Sequence, residues 1–227
     1  LTAQVLAKAL KNLYPKSKLA IGPTIDDGFY YDVETDQAIS IDDLQKIEDE
    51  MYNIIKKKSL ITKKLKSKKE ALQIFKSLDE PYKQEIINDS DQEGDFQLYF
   101  QDNEEFVDLC KGPHLPNLDF IGAFKLTKVS GAYWKGDSNN TMLTRIYGTA
   151  WNNEKDLNNY LDNLEEAQKR DHRKLGKEMD LFHFQDEAPG MVFWHPNGWT
   201  IYRKLRNFVR RRLEDSGYIE VHTPQVI

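Results

Sequence analysis

The sequence has one cysteine, Cys110, in 227 residues. That excludes an internal disulfide framework and a metal site built from cysteines alone. A reducing, cytoplasmic setting is the natural reading. Long apolar runs are also missing. No stretch approaches the ~20 residues that cross a bilayer, so no membrane association is expected. Leu1-Thr2-Ala3-Gln4 lacks the basic start and apolar core of a secretory signal. It lacks an initiating Met as well, so the natural start is expected upstream. Nor is there a large excess of one charge: 32 basic and 37 acidic side chains leave a net charge of −5. This argues against a wholly basic nucleic-acid coat but leaves a local basic face open. What is present is 39% hydrophobic and 30% charged residues, enough apolar content to exclude a disordered chain. At ~150 residues per domain, the length fits one large domain or two small ones.

Hydrophobic spacing predicts the elements. Val5, Leu6, Ala9, Leu10 and Leu13 mark a helix over 1–14 closed by Pro15. The Gly22-Pro23 and Asp27-Gly28 turns and the Phe29–Val33 run read as a hairpin. Ile41–Lys58 is a second helix, capped by Ser40 with Asp42 and Asp43 in its first turn. An edge strand over Ile61–Lys66 and a short helix over Lys68–Phe75 follow. Asp89–Asp95 is a polar loop. Strands are expected at Gln97–Phe100, Glu105–Leu109, Phe124–Val129, Ala132–Lys135 and Met142–Thr149. The composition changes near Trp151. Glu154–Lys174 is a highly charged helix of the kind that links domains. After it come a strand at Met191–Trp194, a helix over Trp199–Ser216 and a strand at Tyr218–His222. The expected class is α+β. Its domains are 1–150, a connector helix over 151–175, and an incomplete unit over 176–227 that is too short for a sizeable core of its own.

Few residues here suggest chemistry. Cys110 and His114 stand four positions apart in Asp108-Leu109-Cys110-Lys111-Gly112-Pro113-His114. A thiol and an imidazole can ligate zinc or act on a substrate. Two ligands do not make a zinc site, and a small buried thiol beside an ordinary surface histidine explains the spacing as well.

The wider context is more specific. The segment resembles the second half of the His-x-x-x-His…Cys-x-x-x-His pattern of the editing domain shared by threonyl- and alanyl-tRNA synthetases. Ala20-Ile21-Gly22-Pro23 and Asp27-Gly28-Phe29-Tyr30-Tyr31-Asp32 are similar to its opening hairpin. Gly131-Ala132-Tyr133-Trp134-Lys135-Gly136-Asp137-Ser138 and Arg145-Ile146-Tyr147-Gly148-Thr149-Ala150-Trp151 are similar to its closing strands in the threonyl version. Arg170-Asp171-His172-Arg173-Lys174-Leu175-Gly176 resembles the linker helix of threonyl-tRNA synthetases. Met191-Val192-Phe193-Trp194-His195 with Gly198-Trp199 resembles the start of their class II catalytic domain. The similarity is collinear over the whole chain. It implies an α+β editing domain of antiparallel strands packed with helices, a connector helix, and the beginning of a class II antiparallel-sheet domain.

The resemblance also implies site residues. Lys83, Asp108, Cys110 and His114 match the family's editing site. There Lys83 could hold an oxyanion or the tRNA end, Asp108 could orient a partner, and Cys110 and His114 would line the water's place. On charge alone, Lys83 and Asp108 read equally as a surface pair of little consequence. The family's two helix histidines fall at Gln4 and Lys8, and both are absent. The i, i+4 pair still shares one helix face, but Gln4 cannot titrate, and a lysine is a cation with a reference pKa near ~10.4. Neither replaces a neutral imidazole. The leading reading is a degenerate editing site, weak or inactive. The others are an altered site in which Gln4 binds water and Lys8 donates, and an engineered or misregistered start. A bound metal in this chain is not expected.

In the family, editing hydrolyses serine mischarged onto threonine tRNA, because a pocket weighs a missing methyl at only ~1–3 kcal/mol. The full-length relative joins threonine to tRNA-Thr with ATP. Its ATP, Mg and Zn sites are expected after Ile227. Partners implied are tRNA-Thr, threonine, ATP and a second copy of the chain through class II motif 1, matched here by the last helix and Tyr218-Ile219-Glu220-Val221-His222-Thr223-Pro224. For tRNA phosphates the connector cluster of Lys169, Arg170, Arg173 and Lys174 is favoured over the lysines of 56–69. His183, His195 and His222 show no catalytic spacing. Two alternatives remain: a freestanding hydrolase of mischarged tRNA, and a non-catalytic tRNA-binding module.

Overall fold

The computed structural model of the chain describes residues 1–102 and 104–222. The chain forms two compact units, Leu1–Asn159 and Tyr160–Ile227. Thr223 and Pro224, at the end of the motif 1 resemblance, lie outside the described residues.

The first unit opens with α1 (Thr2–Leu13), whose Val5, Leu6, Ala9 and Leu10 are fully buried. The short strands β1 (Lys18–Leu19) and β2 (Thr24–Ile25) lead into β3 (Gly28–Glu34). The β2–β3 turn needs its glycine. Gly28 has φ +153°, and a Cβ there would meet the Gly148 carbonyl at 2.1 Å. A reciprocal Ser40–Asp43 cap on the 3-10 turn Ile41–Asp43 starts α2 (Leu44–Lys56), as the acidic first turn predicts.

Next come β4 (Thr62–Lys66), α3 (Lys68–Ser77), α4 (Pro81–Asn88), β5 (Phe96–Gln101) and β6 (Phe106–Leu109). The long strands β7 (Ala123–Tyr133) and β8 (Met142–Trp151) complete the unit. The sheet runs β1-β3-β8-β7, with β2 also on β3, and all pairs are antiparallel. One face of it, through Phe29, Tyr31, Val33, Phe124, Leu126 and Ile146, packs on Leu6 and Leu10 of α1 and Ile47, Met51 and Ile54 of α2. A second antiparallel sheet, β4-β5-β6, packs Leu98, Phe100 and Val107 with Ala71, Phe75 and Ile87 of α3 and α4.

Several expectations change. The segments Phe124–Val129 and Ala132–Tyr133 are one strand, because β8 pairs along its whole length and carries it through Gly131, whereas Trp134 and Lys135, also expected in a strand, form a 3-10 turn with Gly136. The register shifts between Leu126 and Lys128. Buried Glu48 of α2 answers that bulge, accepting the Leu126 N–H at 2.7 Å and the Lys125 ammonium at 2.8 Å. Helix α4 was not read from the sequence. Its signal is Pro81 in the first turn, where a fixed φ suits a helix start, with Tyr82 and Ile87 buried beyond it.

The charged connector is not one helix. It divides into α5 (Glu154–Lys169) and α6 (His172–Glu178). Asp171 makes the break, since its side chain accepts the Arg173 N–H at 2.8 Å and starts a new helix. The second unit continues with the two-residue strands β9 (Phe182–His183) and β10 (Phe193–Trp194), paired antiparallel, and with α7 (Pro196–Asp215). The strand expected at Tyr218–His222 is not formed, because no described strand lies beside it to accept its backbone groups. On α7, Leu205, Phe208, Val209 and Leu213 are exposed. No helix among the described residues is long and apolar enough to cross a membrane.

Glu48→Ala leaves the buried Leu126 N–H without an acceptor and removes the fastening of α2 to β7. We expect a loss of about 1–3 kcal/mol in urea unfolding. An unchanged urea midpoint would show that Glu48 holds nothing.

Candidate active site

A cavity of about 780 Å³ opens in the first unit. Three pieces of chain make most of its wall. The start of α1 contributes Leu1 and Gln4, the β2–β3 hairpin contributes Gly22 and Phe29, and the segment after β6 contributes Cys110 and His114. Asp108, at the end of β6, also reaches it. Distant segments converge here because α1, the first sheet and Phe106 of β6 share one core.

Asp108 is fixed from behind by a buried network. Lys83 of α4 pairs with it at 2.5 Å. The Tyr31 hydroxyl donates to Asp108 at 3.0 Å and accepts from the Lys83 ammonium at 3.0 Å. The Leu109 N–H adds a bond to the carboxylate at 2.8 Å. Lys83 and Asp108 are 2% and 3% exposed, so they are not the surface pair that their charges alone allow. Burial, and then the Asp108 charge, push the Tyr31 hydroxyl well above the usual tyrosine range. Tyr31 therefore stays protonated and keeps donating. Lys83 does not line the cavity. Its ammonium is bonded to Asp108 and Tyr31, behind the cavity wall.

The loop after β6 closes on Tyr99. The Gly112 N–H points to the Cys110 Sγ at 3.5 Å. Gly112 has φ +63°, and a Cβ there would meet the Tyr99 hydroxyl at 1.8 Å, so only glycine fits. The Tyr99 ring meets the His114 imidazole edge-on, with centroids 4.4 Å apart. Together these turn Cys110 and His114 toward one space. The His114 Nε2 is buried and has no hydrogen-bond partner. Burial, and then the positive charge of the amino terminus at Leu1, lower its pKa to about 4, with Asp108 opposing. The imidazole is neutral at pH 7.

The two helix positions part company. Gln4 is 3% exposed and faces the cavity, and neither its Oε1 nor its Nε2 has a partner. Lys8 does not reach the cavity. It forms a buried ion pair with Asp102, which also accepts from Ser59 and lies 3.8 Å from the Lys57 ammonium. Burial lowers the Lys8 pKa to about 8, with Lys57 adding to the shift. It is thus still a cation at pH 7 and keeps its hold on Asp102. Asp102 was not singled out in the sequence. It lies 94 positions from Lys8, and nothing local signals the pairing. Tyr31 and Tyr99 were missed as site residues for a similar reason, since strand alternation marks them only as inward-facing.

Among the described residues, no group of three or more His, Cys, Asp or Glu side chains is placed to hold a metal ion. The connector cluster is locally neutralised. Lys169 pairs with Glu165 at 2.8 Å and Glu166 at 3.3 Å, and Arg170 with Glu166 at 3.2 Å. Arg173 binds Asp171 at 2.7 Å, and Lys174 lies 3.9 Å from Glu178. In the second unit two of the three histidines without catalytic spacing do meet: the His183 Nδ1 is 2.7 Å from the His195 Nε2, and the His195 Nδ1 is 2.7 Å from Asp180.

Two expectations test this geometry. Lys83→Met strands a buried carboxylate, and should cost about 3–5 kcal/mol of stability in urea unfolding. Lys83→Met/Asp108→Leu should cost clearly less than the two single changes added together. Strict additivity would mean that the pair is not coupled. The second concerns pH. An unfolded chain protonates His114 near ~6.5, while the folded one waits until about 4. Between those values the unfolded state holds more protons, so stability falls as pH drops through the window and levels off below it. His114→Phe keeps a ring on Tyr99 and should flatten that slope, as read from urea midpoints. An unaltered slope would assign the acid loss to other groups.

Known proteins share this arrangement of sequence. Residues 97–147 match the threonyl and alanyl tRNA synthetase second additional domain. The threonine–tRNA ligase of Legionella pneumophila (strain Corby) is 56% identical over 226 residues, covering 100% of the chain and 35% of the relative. That of Prochlorococcus marinus (strain MIT 9211) is 52% identical over 225 residues, 99% of the chain and 35% of the relative. That of Paraburkholderia phytofirmans is 50% identical over 226 residues, with the same 35% of the relative covered. The chain spans about a third of the length of the curated relatives it matches.

Proposed function

We propose, for a chain that belongs to the threonyl-tRNA synthetase family and corresponds to its N-terminal editing region, that it forms part of a threonine–tRNA ligase whose editing site is degenerate. In this reading the full-length protein activates threonine with ATP and transfers it to tRNA-Thr. ATP, Mg and Zn belong to the two-thirds of the protein outside this chain, and the cytoplasm is its compartment. The exposed apolar side of α7 is the contact to a second copy. Lys169, Arg170, Arg173 and Lys174 serve tRNA phosphates by exchanging their exposed ion pairs, which water and salt screen.

The single observation that carries the reading is the unpartnered Gln4 amide in the cavity, with Lys8 withdrawn to Asp102. Hydrolysis of a seryl ester needs a held water, a place for its proton, and donors for the developing oxyanion. Gln4 can hold a water or an ester oxygen, but it cannot take a proton. His114 offers a neutral Nε2 whose basicity burial has weakened. Asp108 orients the wall, held in place by Lys83 and Tyr31. Cys110 lines the site. The scaffold for binding is therefore present, while a strong proton acceptor is missing at the helix wall.

The test is hydrolysis of seryl-tRNA-Thr by this chain beside Gln4→His/Lys8→His. Because Lys8→His weakens the hold on Asp102, Gln4→His/Lys8→His/Asp102→Asn is measured as well. General acid–base groups contribute ~10²–10⁴-fold. The parent should be at least a hundredfold slower than the better variant. A parent that hydrolyses as fast as both variants would overturn the degenerate site and leave His114 and Cys110 to carry the reaction.

A further inference from the structure

Beside the main cavity lies a second cleft, of about 340 Å³. It shares Lys111, Pro113 and His114 with the cavity, and adds Lys63, Gln97 and Tyr99. The two spaces thus lie on either side of one loop. Sheet register explains the arrangement. Lys63 of β4 is paired with Tyr99 of β5, and Tyr99 with Asp108 of β6. One row of side chains therefore leads from an edge-strand cation, across an aromatic floor, to the buried carboxylate of the site.

Most lysines near this cleft are already engaged. Lys57 lies 3.8 Å from Asp102, Lys58 pairs with Asp119 at 2.8 Å, and Lys66 with Glu70 at 3.3 Å. Lys64 pairs with Glu104, and Lys68 donates to the Asn88 carbonyl at 3.1 Å. Lys63 and Lys111 are exposed and have no carboxylate partner among the described residues. Two uncompensated cations facing one cleft favour an anion there. Lysine serves as a point charge for phosphate and needs no fixed fork geometry.

We propose that the Lys63–Lys111 cleft holds a phosphodiester of single-stranded nucleic acid, the one on the 5′ side of the nucleotide whose 3′ ester enters the cavity. This rests on the editing-site reading above for the direction of the strand. The two spaces share a wall, so a nucleotide placed with its ribose ester beside Cys110 and His114 has its own 5′ phosphate within reach of this loop. Tyr99 and Pro113 give that phosphate an apolar floor, while Lys63 and Lys111 neutralise it. The lysine-rich segment 56–69 thereby reduces to one lysine that matters for this contact, with Lys111 as its partner across the cleft.

The experiment titrates two probes into the whole chain, followed by NMR. One is unacylated CpCpA, which carries phosphates. The other is adenosine bearing a 3′-seryl amide, which fills the cavity and carries none. Lys63→Ala/Lys111→Ala should weaken CpCpA at least fivefold at low salt. Each lost phosphate contact lowers the slope of log affinity against log salt by ~0.7, so a reduction of about that size or larger is expected. In Lys63→Ala alone, which leaves the lining of the main cavity intact, affinity for the adenosine amide should not change. An unchanged CpCpA affinity and slope overturns the proposal, as does an equal loss for both probes in Lys63→Ala. A parent that binds CpCpA through these lysines but ignores the adenosine amide keeps the phosphate site and sinks the editing-cavity reading instead.

Discussion

The Lys83–Asp108 pair, 2.5 Å apart and closed by the Tyr31 hydroxyl, is the interaction on which the rest of the first unit's cavity depends. It joins three elements that lie far apart in sequence: α4, β6 and β3. Each member is buried, and each would be costly alone. A carboxylate without a cation, or an ammonium without an acceptor, loses its hydration with nothing in return. Together with the Leu109 N–H they satisfy one another. The network therefore acts as a geometric constraint more than as a source of stability. It sets where β6 ends, and so where the loop carrying Cys110 and His114 begins.

From that fixed point the wall is built by exclusion. Gly112 admits the Tyr99 hydroxyl where any side chain would collide. Tyr99 in turn supports the His114 ring. Gly22 does the same for the opposite wall, since a Cβ there would lie 2.2 Å from the Tyr31 ring. One tyrosine thus serves the electrostatic network with its hydroxyl and the hairpin with its ring face. The polar atoms left unpaired at the end of this construction are few: the Gln4 amide and the His114 Nε2 among them. Unpaired buried polar atoms are expensive in a protein interior unless water or a ligand answers them. The Gln4 and His114 atoms meet at one cavity, unlike those of Ser17 and Gln101, and that meeting is what makes it a site.

The two helix positions show how a pocket can lose chemistry without losing shape. Gln4 and Lys8 share a face of α1, yet they serve opposite ends. Gln4 keeps its place at the cavity. Lys8, longer and charged, reaches a carboxylate that an imidazole there would not need. Asp102 and Ser59 hold it. In the proposed reading, that ion pair makes the loss stable, because returning Lys8 to the cavity would strand Asp102.

Much of this was legible in the sequence. Periodicity marked α1, α2 and the strands, because each buries one regular face and carries its own cap or turn. The α+β class and the resemblance of 20–32, 108–114 and 131–151 to one domain followed from local residues. The Asp171 break, helix α4 and the continuous β7 did not, since each turns on a single cap, a proline start or a partner strand that a window of sequence does not contain. The site divides in the same way. The types of Gln4, Lys83, Asp108, Cys110 and His114 were fixed by sequence, and so was the absence of two histidines. Tertiary structure alone decided that Lys83 stands behind Asp108 and that Lys8 turns to Asp102. Such pairings join residues tens of positions apart, and only tertiary packing determines which charges lose their water together.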